Sequence, residues 1–344
     1  GDRLRTWLAT QPSVSSQLVN ATVFTTQDAT GIMVKLRAAT YLKAAAPVAA
    51  NLAYDDKGSM NKPYNLYTGT YDSPNFQAGD PPYQDVGGQI DFDADGVPIV
   101  VRTENLRFAL TVPKGDPPTT GWPVVLYAHG TGGSYKSFLG DGSAAAAADV
   151  RDASDRTIEK FAMISIDQVL HGPRKGSDVL STNIAFFNLF NLHAILDNPK
   201  QGAADDFQLL RLVKSFDMLR PTTDQKLKFN PDRIYFKGHS QGGLTGPLFV
   251  SAEPEIKAAI FSGAGGNAIQ SLLNKTEPPP PIPAALSLFL NGAIDEYHPV
   301  LNLVQAAFES SDPANYGRLF FQEPPSGFAA RSIFHSMGLI DHYT

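Results

Sequence analysis

The sequence predicts an α/β fold in which helices flank a mostly parallel sheet. Between residues 124 and 262, short apolar runs alternate with helix-like stretches, which is the pattern of βα units. Four of these runs end in Gly-rich or polar residues, as strands do when functional loops gather at the carboxyl edge of a parallel sheet. We therefore predict strands at 124–128, 161–166, 233–237 and 256–262.

The first third of the chain has a different pattern. Short alternating segments broken by turn signals predict strands at 21–24, 32–36, 64–67, 97–101 and 106–112. Residues 113–123 are rich in Pro, Gly and Thr and mark a boundary. We accordingly expect a mostly β N-terminal extension over 1–115 and a main α/β domain over 116–344. Helical cap segments are expected at about 180–220 and 270–312, joined to a polyproline connector at 278–281.

Composition excludes several function classes. A net charge of −6 over 344 residues offers no excess of positive charge for a phosphate backbone, so nucleic acid is not an expected partner. The absence of Cys excludes disulfides, thiolate metal sites and a Cys nucleophile. The chain opens on Gly1 and Asp2 instead of Met, so we expect that an N-terminal piece has been removed or left out. A location outside the cell or in the cell envelope is also expected.

A G-x-S-x-G pattern identifies a candidate nucleophile. Gly238, Ser240 and Gly242 fit the elbow in which a strand turns sharply into a helix and presents a Ser at its apex. The glycines suit this turn because it leaves no room for a Cβ beside the Ser. An apolar strand-like run precedes the motif and a helix-like run, 244–250, follows it. Ser240 is therefore the predicted nucleophile.

Acyl transfer also needs hydrogen-bond donors for the oxyanion. The first predicted donor is the backbone N–H of Gln241, directly after the nucleophile. The second comes from the run 129–133, His-Gly-Thr-Gly-Gly, which resembles the His-Gly-rich loop of lipases and esterases. We predict that Thr131 supplies the N–H, with Gly130 or Gly132 as alternatives.

Together, the apolar run ending in this His-Gly loop and the Ser240 elbow resemble the α/β-hydrolase superfamily. Among its members, large bacterial extracellular esterases and lipases with an N-terminal β extension are most similar. The resemblance covers residues from about 123 to the end of the chain. It implies an eight-stranded sheet, a catalytic order of Ser, acid and His, and cofactor-free hydrolysis of carboxylic esters.

Two aspartates compete for the role of the acid. Asp341 follows the strand-like run 332–335 in a Gly-x-x-Asp sequence, similar to the family loop after the seventh strand. Asp295 follows the apolar run 286–290, but that run continues a Pro-rich insertion and leads into a helix-like segment. Asp341 is preferred, and a helix cap or a solvated loop position is the alternative for Asp295.

The family order places the base after the acid, where only His342 remains. Because His342 is adjacent to Asp341, the two side chains would diverge too far to form the required pair. We therefore expect the base histidine beyond residue 344, in a cleaved segment or a second chain, together with a last strand and helix. If Asp295 is the acid, His335 or His342 can serve as the base.

Three further histidines flank these motifs and form the predicted substrate-binding set: His129, His171 and His239. Alternatively, His129 and His171 order the loops in which they lie, and His239 packs beneath the nucleophile.

No metal is expected. The run 91–96 resembles half of a calcium loop, but Arg102 stands where that loop needs Glu.

Apolar stretches at 183–196 and 286–303 favour an acyl-ester or lipid substrate over a small polar one, and allow transient contact with a lipid surface. An esterase or lipase is the leading hypothesis. The alternatives are a polyester depolymerase or peptidase on the same fold, since the fold does not determine the leaving group, and a noncatalytic binding protein.

Overall fold

The computed structural model describes residues 2–19, 21, 26–177, 179–217, 219–220, 226–277, 282–290, 292–339 and 341–342. This part of the chain contains ten strands: β1 (Ala50–Asp55), β2 (Tyr64–Asn75), β3 (Arg102–Pro113), β4 (Trp122–Ala128), β5 (Val150–Arg151), β6 (Thr157–Glu159), β7 (Ala162–Ile166), β8 (Phe229–His239), β9 (Ile256–Ser262) and β10 (Ser332–Ser336).

The same residues form twelve α-helices: α1 (Asp2–Ala9), α2 (Pro12–Ser15), α3 (Gly31–Lys43), α4 (Asp56–Ser59), α5 (Ser137–Gly140), α6 (Ser143–Ala148), α7 (Thr182–Phe186), α8 (Leu192–Ser215), α9 (Gln241–Ala252), α10 (Ala268–Asn274), α11 (Ile282–Phe289) and α12 (Pro299–Phe308). Short 3₁₀ turns occupy Gly172–Lys175, Glu309–Ser311, Pro313–Asn315 and Gly317–Phe320.

Eight strands form one mixed sheet in the order β1-β2-β3-β7-β4-β8-β9-β10. The pairs from β1 to β7 are antiparallel, and those from β7 to β10 are parallel. All residues of β4 but one are buried, because a parallel strand in the middle of such a sheet is covered on both faces. The predicted mostly parallel sheet is confirmed.

The loops after β4 and β8 lie at the point where the chain changes direction across the sheet. From β4 the chain goes to β7 on one side, and from β7 it returns to β8 on the other side of β4. The carboxyl ends of β4 and β8 therefore flank a crevice of the kind that binds ligands in open α/β sheets.

Helices cover both faces of this sheet. On one face α3, α8 and α9 pack against each other and against the sheet, around the largest apolar cluster. The other face carries α5 and α6 over a smaller cluster that includes Tyr127 and Phe138. In the described part of the chain, none of the helices is both long enough and apolar enough to cross a membrane.

The N-terminal third differs from the prediction in two ways. Residues 32–36 lie in helix α3, not in a strand, because Met33, Leu36, Ala39 and Thr40 recur at helical spacing and are buried on one face. Residues 97–101 contain one isolated bridge, from Pro98 to Phe92, instead of a strand. The predicted strands at 64–67 and 106–112 are present as parts of β2 and β3, which belong to the eight-stranded sheet.

Predictions for the cap region have mixed outcomes. The helical cap segment predicted at about 180–220 contains α7 and the 24-residue α8, which runs through Pro199. The segment predicted to be helical at 286–308 contains the second half of α11 and all of α12. Segments 21–24 and 278–281 lie wholly or largely outside the described residues. Whether the cap helices act as a lid stays a prediction.

Candidate active site

Ser240 occupies a strained turn between β8 and α9. Its φ and ψ are 52° and −113°, in a region that residues with a Cβ rarely adopt. Hydrogen bonds hold this conformation, because the Ser240 N–H donates to the Ser262 carbonyl at 2.8 Å and the Ser240 carbonyl accepts from the Gly243 N–H at 2.7 Å. Backbone strain of this kind concentrates at functional sites, so the geometry matches the predicted elbow.

The two glycines of the motif allow this turn to pack closely. A Cβ on Gly238 would lie 2.2 Å from the Gly242 carbonyl oxygen, and one on Gly242 would lie 2.1 Å from the Ala128 carbonyl oxygen. Neither backbone atom can move without displacing β4 or α9. The elbow therefore packs directly on the end of β4, where the predicted oxyanion loop begins.

The loop after β4 lies against the nucleophile. A Cβ on Gly130 would stand 3.1 Å from the Ser240 Cβ, and the Thr131 hydroxyl donates to the Gln241 side-chain oxygen at 2.9 Å. Gln241 is the first residue of α9, where a helix has no internal acceptor for its N–H groups. The structure thus brings together Thr131, Gly130 and Gln241, the predicted donors.

Other N–H groups of this loop have acceptors within the protein. Gly132 donates to the His171 Nε2 at 2.9 Å, and Gly133 donates to the Gly130 carbonyl at 3.0 Å. Of the alternatives considered for the second oxyanion donor, Gly132 is thereby removed.

His129 and His171 are buried beneath the loop and do not line the cavity described below. The His129 Nδ1–H donates to the Gly130 carbonyl at 2.7 Å, while its Nε2 accepts from the Gln168 N–H. The His171 Nδ1–H donates to the Val169 carbonyl at 2.9 Å. Burial lowers the pKa of His129 to about 4 and that of His171 to about 3, so both rings are neutral at pH 7. This corrects the predicted substrate contact for these two residues in favour of loop ordering.

His239, the third member of the predicted substrate-binding set, is exposed and lines the cavity beside Ser240. Its ring lies between the loops after β4 and β9: the Cδ2 is 3.3 Å from where a Cβ on Gly130 would stand, and the Cε1 is 3.7 Å from the corresponding position on Gly263. The alternative of packing beneath the nucleophile does not describe this placement.

The two candidate acids lie in different surroundings. Asp341 follows β10, the strand at one edge of the sheet, and lines the same cavity as Ser240 and His239. Its Oδ2 is 3.8 Å from the position that a Cβ on Gly263 would take. Asp295 is exposed between α11 and α12, where its carboxylate accepts from the Tyr297 N–H at 2.9 Å. The run before Asp295 is a helix, which removes the strand that its catalytic role required.

The histidines near the acid candidates point elsewhere. The His335 Nε2–H donates to the Ala264 carbonyl at 3.0 Å, and the His342 Nδ1 is 3.1 Å from the Thr276 hydroxyl. His193 is exposed on α8, and His298 caps α12. All seven histidines are in the described part of the chain, and of these His239 alone lines the cavity.

A cavity of about 880 Å³ opens in front of Ser240. Its walls include several residues that the sequence did not single out, among them Asn183, Lys275 and Asp312. Burial lowers the pKa of Lys275, and the nearby Asp341 carboxylate partly offsets this effect. No motif marks these residues, because they come from separate cap segments that converge only in the folded chain.

Residues 91–96, which resemble half of a calcium loop, contain a turn held by the side chain of Asp93. The Asp93 carboxylate accepts from the N–H groups of Asp95 and Val97 and so closes the turn.

Comparison with solved structures supports the fold. An acetyl xylan esterase from Paenibacillus sp. R4 is similar, with a TM-score of 0.53 and 16% sequence identity over 94% of this chain and 92% of that chain. Acetyl xylan esterase 1 from Thermoanaerobacterium sp. JW/SL YS485 gives a TM-score of 0.50 and 13% identity, over 91% and 87%. No protein-family model and no curated protein sequence matches the chain. The chain has the α/β-hydrolase fold, as predicted.

Proposed function

We propose that this protein is a serine hydrolase that cleaves carboxylic esters through an acyl-enzyme. The observation that carries the proposal is the strained turn that presents Ser240 beside the Gly130–Thr131 loop at the switch point of the sheet. Nucleophile and oxyanion donors converge there on one cavity. Both solved structures reported above are named as esterases, which agrees with this class of reaction.

In the proposed reaction, the Ser240 Oγ attacks the ester carbonyl carbon while a histidine base takes its proton. The N–H groups of Gln241 and Thr131 stabilise the charge on the carbonyl oxygen. The intermediate then collapses, the C–O bond to the alcohol breaks, and the alcohol leaves with the proton from the base. Water attacks the acyl-enzyme in the same way, which releases the acid and restores Ser240.

Asp341 is the proposed acid that orients the base, since it reaches the cavity of Ser240 and Asp295 does not. The base itself stays a prediction. His335 and His342 make their hydrogen bonds away from the cavity, so a histidine from a further segment or a second chain remains the expectation. Among the seven histidines, all in the described part of the chain, His239 is the one that lines the cavity.

A fluorophosphonate probe tests the nucleophile, because it reacts only with an activated serine. We expect labelling of Ser240, mapped by peptide mass spectrometry, together with hydrolysis of p-nitrophenyl butyrate. Ser240→Ala should abolish both, whereas Ser154→Ala, at an exposed turn, should change neither. If the folded protein is neither labelled at Ser240 nor active on esters, the proposal is wrong.

A further inference from the structure

The walls of the cavity are apolar to a degree that acetyl-ester hydrolysis does not need. On α12 the lining residues are Val300, Leu303, Val304, Ala307 and Phe308, which recur at helical spacing and form one stripe. Such a stripe normally packs on a protein core. Here it faces the cavity in front of Ser240, and Leu303 remains 70% exposed.

A second set of apolar residues lines the same cavity. It is formed by the start of α8 with Leu192, Ile195 and Leu196, by the preceding loop with Phe187 and Leu189, and by Leu272 of α10. These residues come from three separate segments. Together with the α12 stripe, they make up most of the apolar lining of the cavity, and Leu192 is 47% exposed.

Two of the three carboxylates in the described walls, those of Asp312 and Asp141, are already engaged by the protein. Asp312 accepts from the Asn267 N–H at 2.9 Å and from the Gln305 side-chain amide at 2.9 Å. Asp141 accepts from the Tyr127 hydroxyl at 2.7 Å and from the Ser143 N–H at 2.8 Å. Much of their capacity for hydrogen bonds is therefore used within the fold, which leaves little for the hydroxyl groups of a sugar.

The volume points in the same direction. Sites for drug-sized ligands span roughly 300–1,000 Å³, and this cavity, at about 880 Å³, lies in the upper part of that range. An acetyl group would fill only a small part of it. An apolar chain of eight or more carbons would cover the stripe and remove it from water.

We propose that this cavity binds a long apolar chain, so that the substrates are lipid-like esters and not acetylated carbohydrates. The claim that the bound molecule is an ester substrate rests on the proposed hydrolysis. The claim that the cavity binds an apolar chain does not depend on that proposal. The chain lies between α12 and the start of α8, with the ester at Ser240. It can belong to the acyl or to the alcohol part of the ester.

The first test compares kcat/KM for p-nitrophenyl acetate, butyrate and octanoate, below their aggregation concentrations. We expect octanoate to exceed acetate by at least tenfold, since each buried methylene adds to transition-state binding. A second comparison, of kcat/KM for octyl acetate and ethyl acetate, varies the alcohol part of the ester and is the alcohol arm of the test. A rise with chain length in either arm supports the site and identifies which part of the ester supplies the chain; a preference for acetate with no rise in the alcohol arm overturns it.

A pair of variants on one helix locates the chain. Ala307 lines the cavity, and its neighbour Ala306 is exposed and outside the lining. Ala307→Trp should lower the ratio of long-chain to short-chain kcat/KM at least tenfold, while Ala306→Trp should leave that ratio within twofold of its original value. Equal ratios in the two variants would place the chain elsewhere and contradict the proposal.

Binding without turnover separates this inference from the proposed function. Isothermal titration calorimetry of Ser240→Ala with methyl octanoate should show saturable binding, weakened by adding Ala307→Trp, whereas methyl acetate should show none. If methyl octanoate binds but the wild-type protein cleaves no ester, the proposed apolar binding site is supported and the hydrolase proposal is wrong. If esters are cleaved but methyl octanoate binds no better than methyl acetate, only the proposal of an apolar binding site is wrong.

Discussion

At the scale of single residues, the backbone of Ser240 is held in a strained conformation. A non-glycine residue in this region of φ and ψ costs on the order of 1–3 kcal/mol, and it persists only where surrounding contacts enforce it. The hydrogen bonds to Ser262 and Gly243 and the close packing on Ala128 supply that enforcement. The side chain of Ser240 is thereby fixed in direction before any substrate arrives.

The choice between the two acids gives the first prediction. Asp341→Asn keeps the shape of the side chain but removes the charge that would hold the base histidine in its productive tautomer, so kcat should fall by roughly 10⁴-fold. Asp295→Asn removes a carboxylate that only caps a turn, and should leave kcat within twofold. Steady-state hydrolysis of a p-nitrophenyl ester measures both. The reverse ranking of the two variants would move the acid role to Asp295.

The buried ring of His171 predicts a dependence of stability on pH. Its pKa is about 3 in the folded chain and 6.5 in the unfolded chain, chiefly because burial disfavours the charged ring. Below pH 6.5 the unfolded chain therefore binds a proton that the folded chain excludes, and stability falls as the pH falls towards 3. By pH 5 this loss should reach about 2 kcal/mol.

Urea unfolding at pH 7 and pH 5 tests this dependence. In His171→Asn the free energy of unfolding should decrease less between the two pH values than in the wild-type protein, whatever the variant costs at pH 7. His193→Asn, at an exposed position on α8, is the control and should retain the wild-type dependence. An unchanged dependence in His171→Asn would show that the ring can be protonated in the folded state.

At the scale of elements, the strands at the site were predictable and some helices were not. The run at Ile256–Ser262 was predicted with the bounds that the structure shows, because seven residues between turn signals are too few for a typical helix. Residues 32–36 were misassigned because five residues cannot distinguish a strand from one buried face of α3. The buried spacing from Met33 to Thr40 becomes visible only over the 13 residues of the helix.

The same distinction applies to the candidate site, where some residues lie in local sequence motifs and others are brought in only by tertiary packing. Ser240, Gln241 and Thr131 lie in two glycine motifs whose local geometry follows from sequence. The apolar stripe of α12 had helical spacing, but its direction towards the cavity depends on how separate cap segments pack. Sequence alone likewise could not assign His129 and His171 between substrate contact and loop ordering, because that depends on burial.

Helix α3 is anchored on α9 by an ion pair that gives a further prediction. The Glu253 carboxylate is fully buried and accepts from Arg37 at 2.9 and 3.2 Å and from the Tyr41 hydroxyl. Arg37→Ala leaves that charge without its main partner, and should lower the free energy of unfolding by about 3 kcal/mol. Denaturant unfolding of the variant measures this loss.

Two controls separate the buried pair from charge effects in general. The double variant Arg37→Met with Glu253→Gln leaves no unpaired charge and should regain part of the loss. Arg5→Ala removes a pair in which both side chains are exposed, and should change stability by less than about 0.5 kcal/mol. If Arg37→Ala were as mild as Arg5→Ala, the pair would not anchor α3.

At the scale of the whole molecule, the N-terminal third is continuous with the main sheet. Strands β2 and β3 pair along twelve residues, and β3 in turn pairs with β7 beside the central strand β4. Phe108 and Leu110 of β3 belong to the same apolar cluster as Leu126 of β4. Two charge pairs bind the regions further, since Arg107 of β3 contacts Asp167 after β7 and Arg174 contacts Glu104 of β3.

This arrangement makes the division between residues 1–115 and 116–344 testable by truncation. Removal of 1–115 takes away β1, β2, β3 and α3 and exposes one side of β7 and part of the main core, so the remaining chain should not unfold cooperatively.

Removal of 1–26 is the control, because it takes away only α1, α2 and the segment after them. Neither of these helices contains a buried residue, so the melting temperature should stay within about 2 °C. Calorimetry and near-UV circular dichroism of both truncations provide the measurement. A cooperative transition in the 116–344 fragment would mean that the main domain folds alone and that the first third is an extension after all. If that fragment shows no cooperative transition while the 1–26 truncation unfolds normally, the fold of the candidate active site depends on strands more than a hundred residues before Ser240.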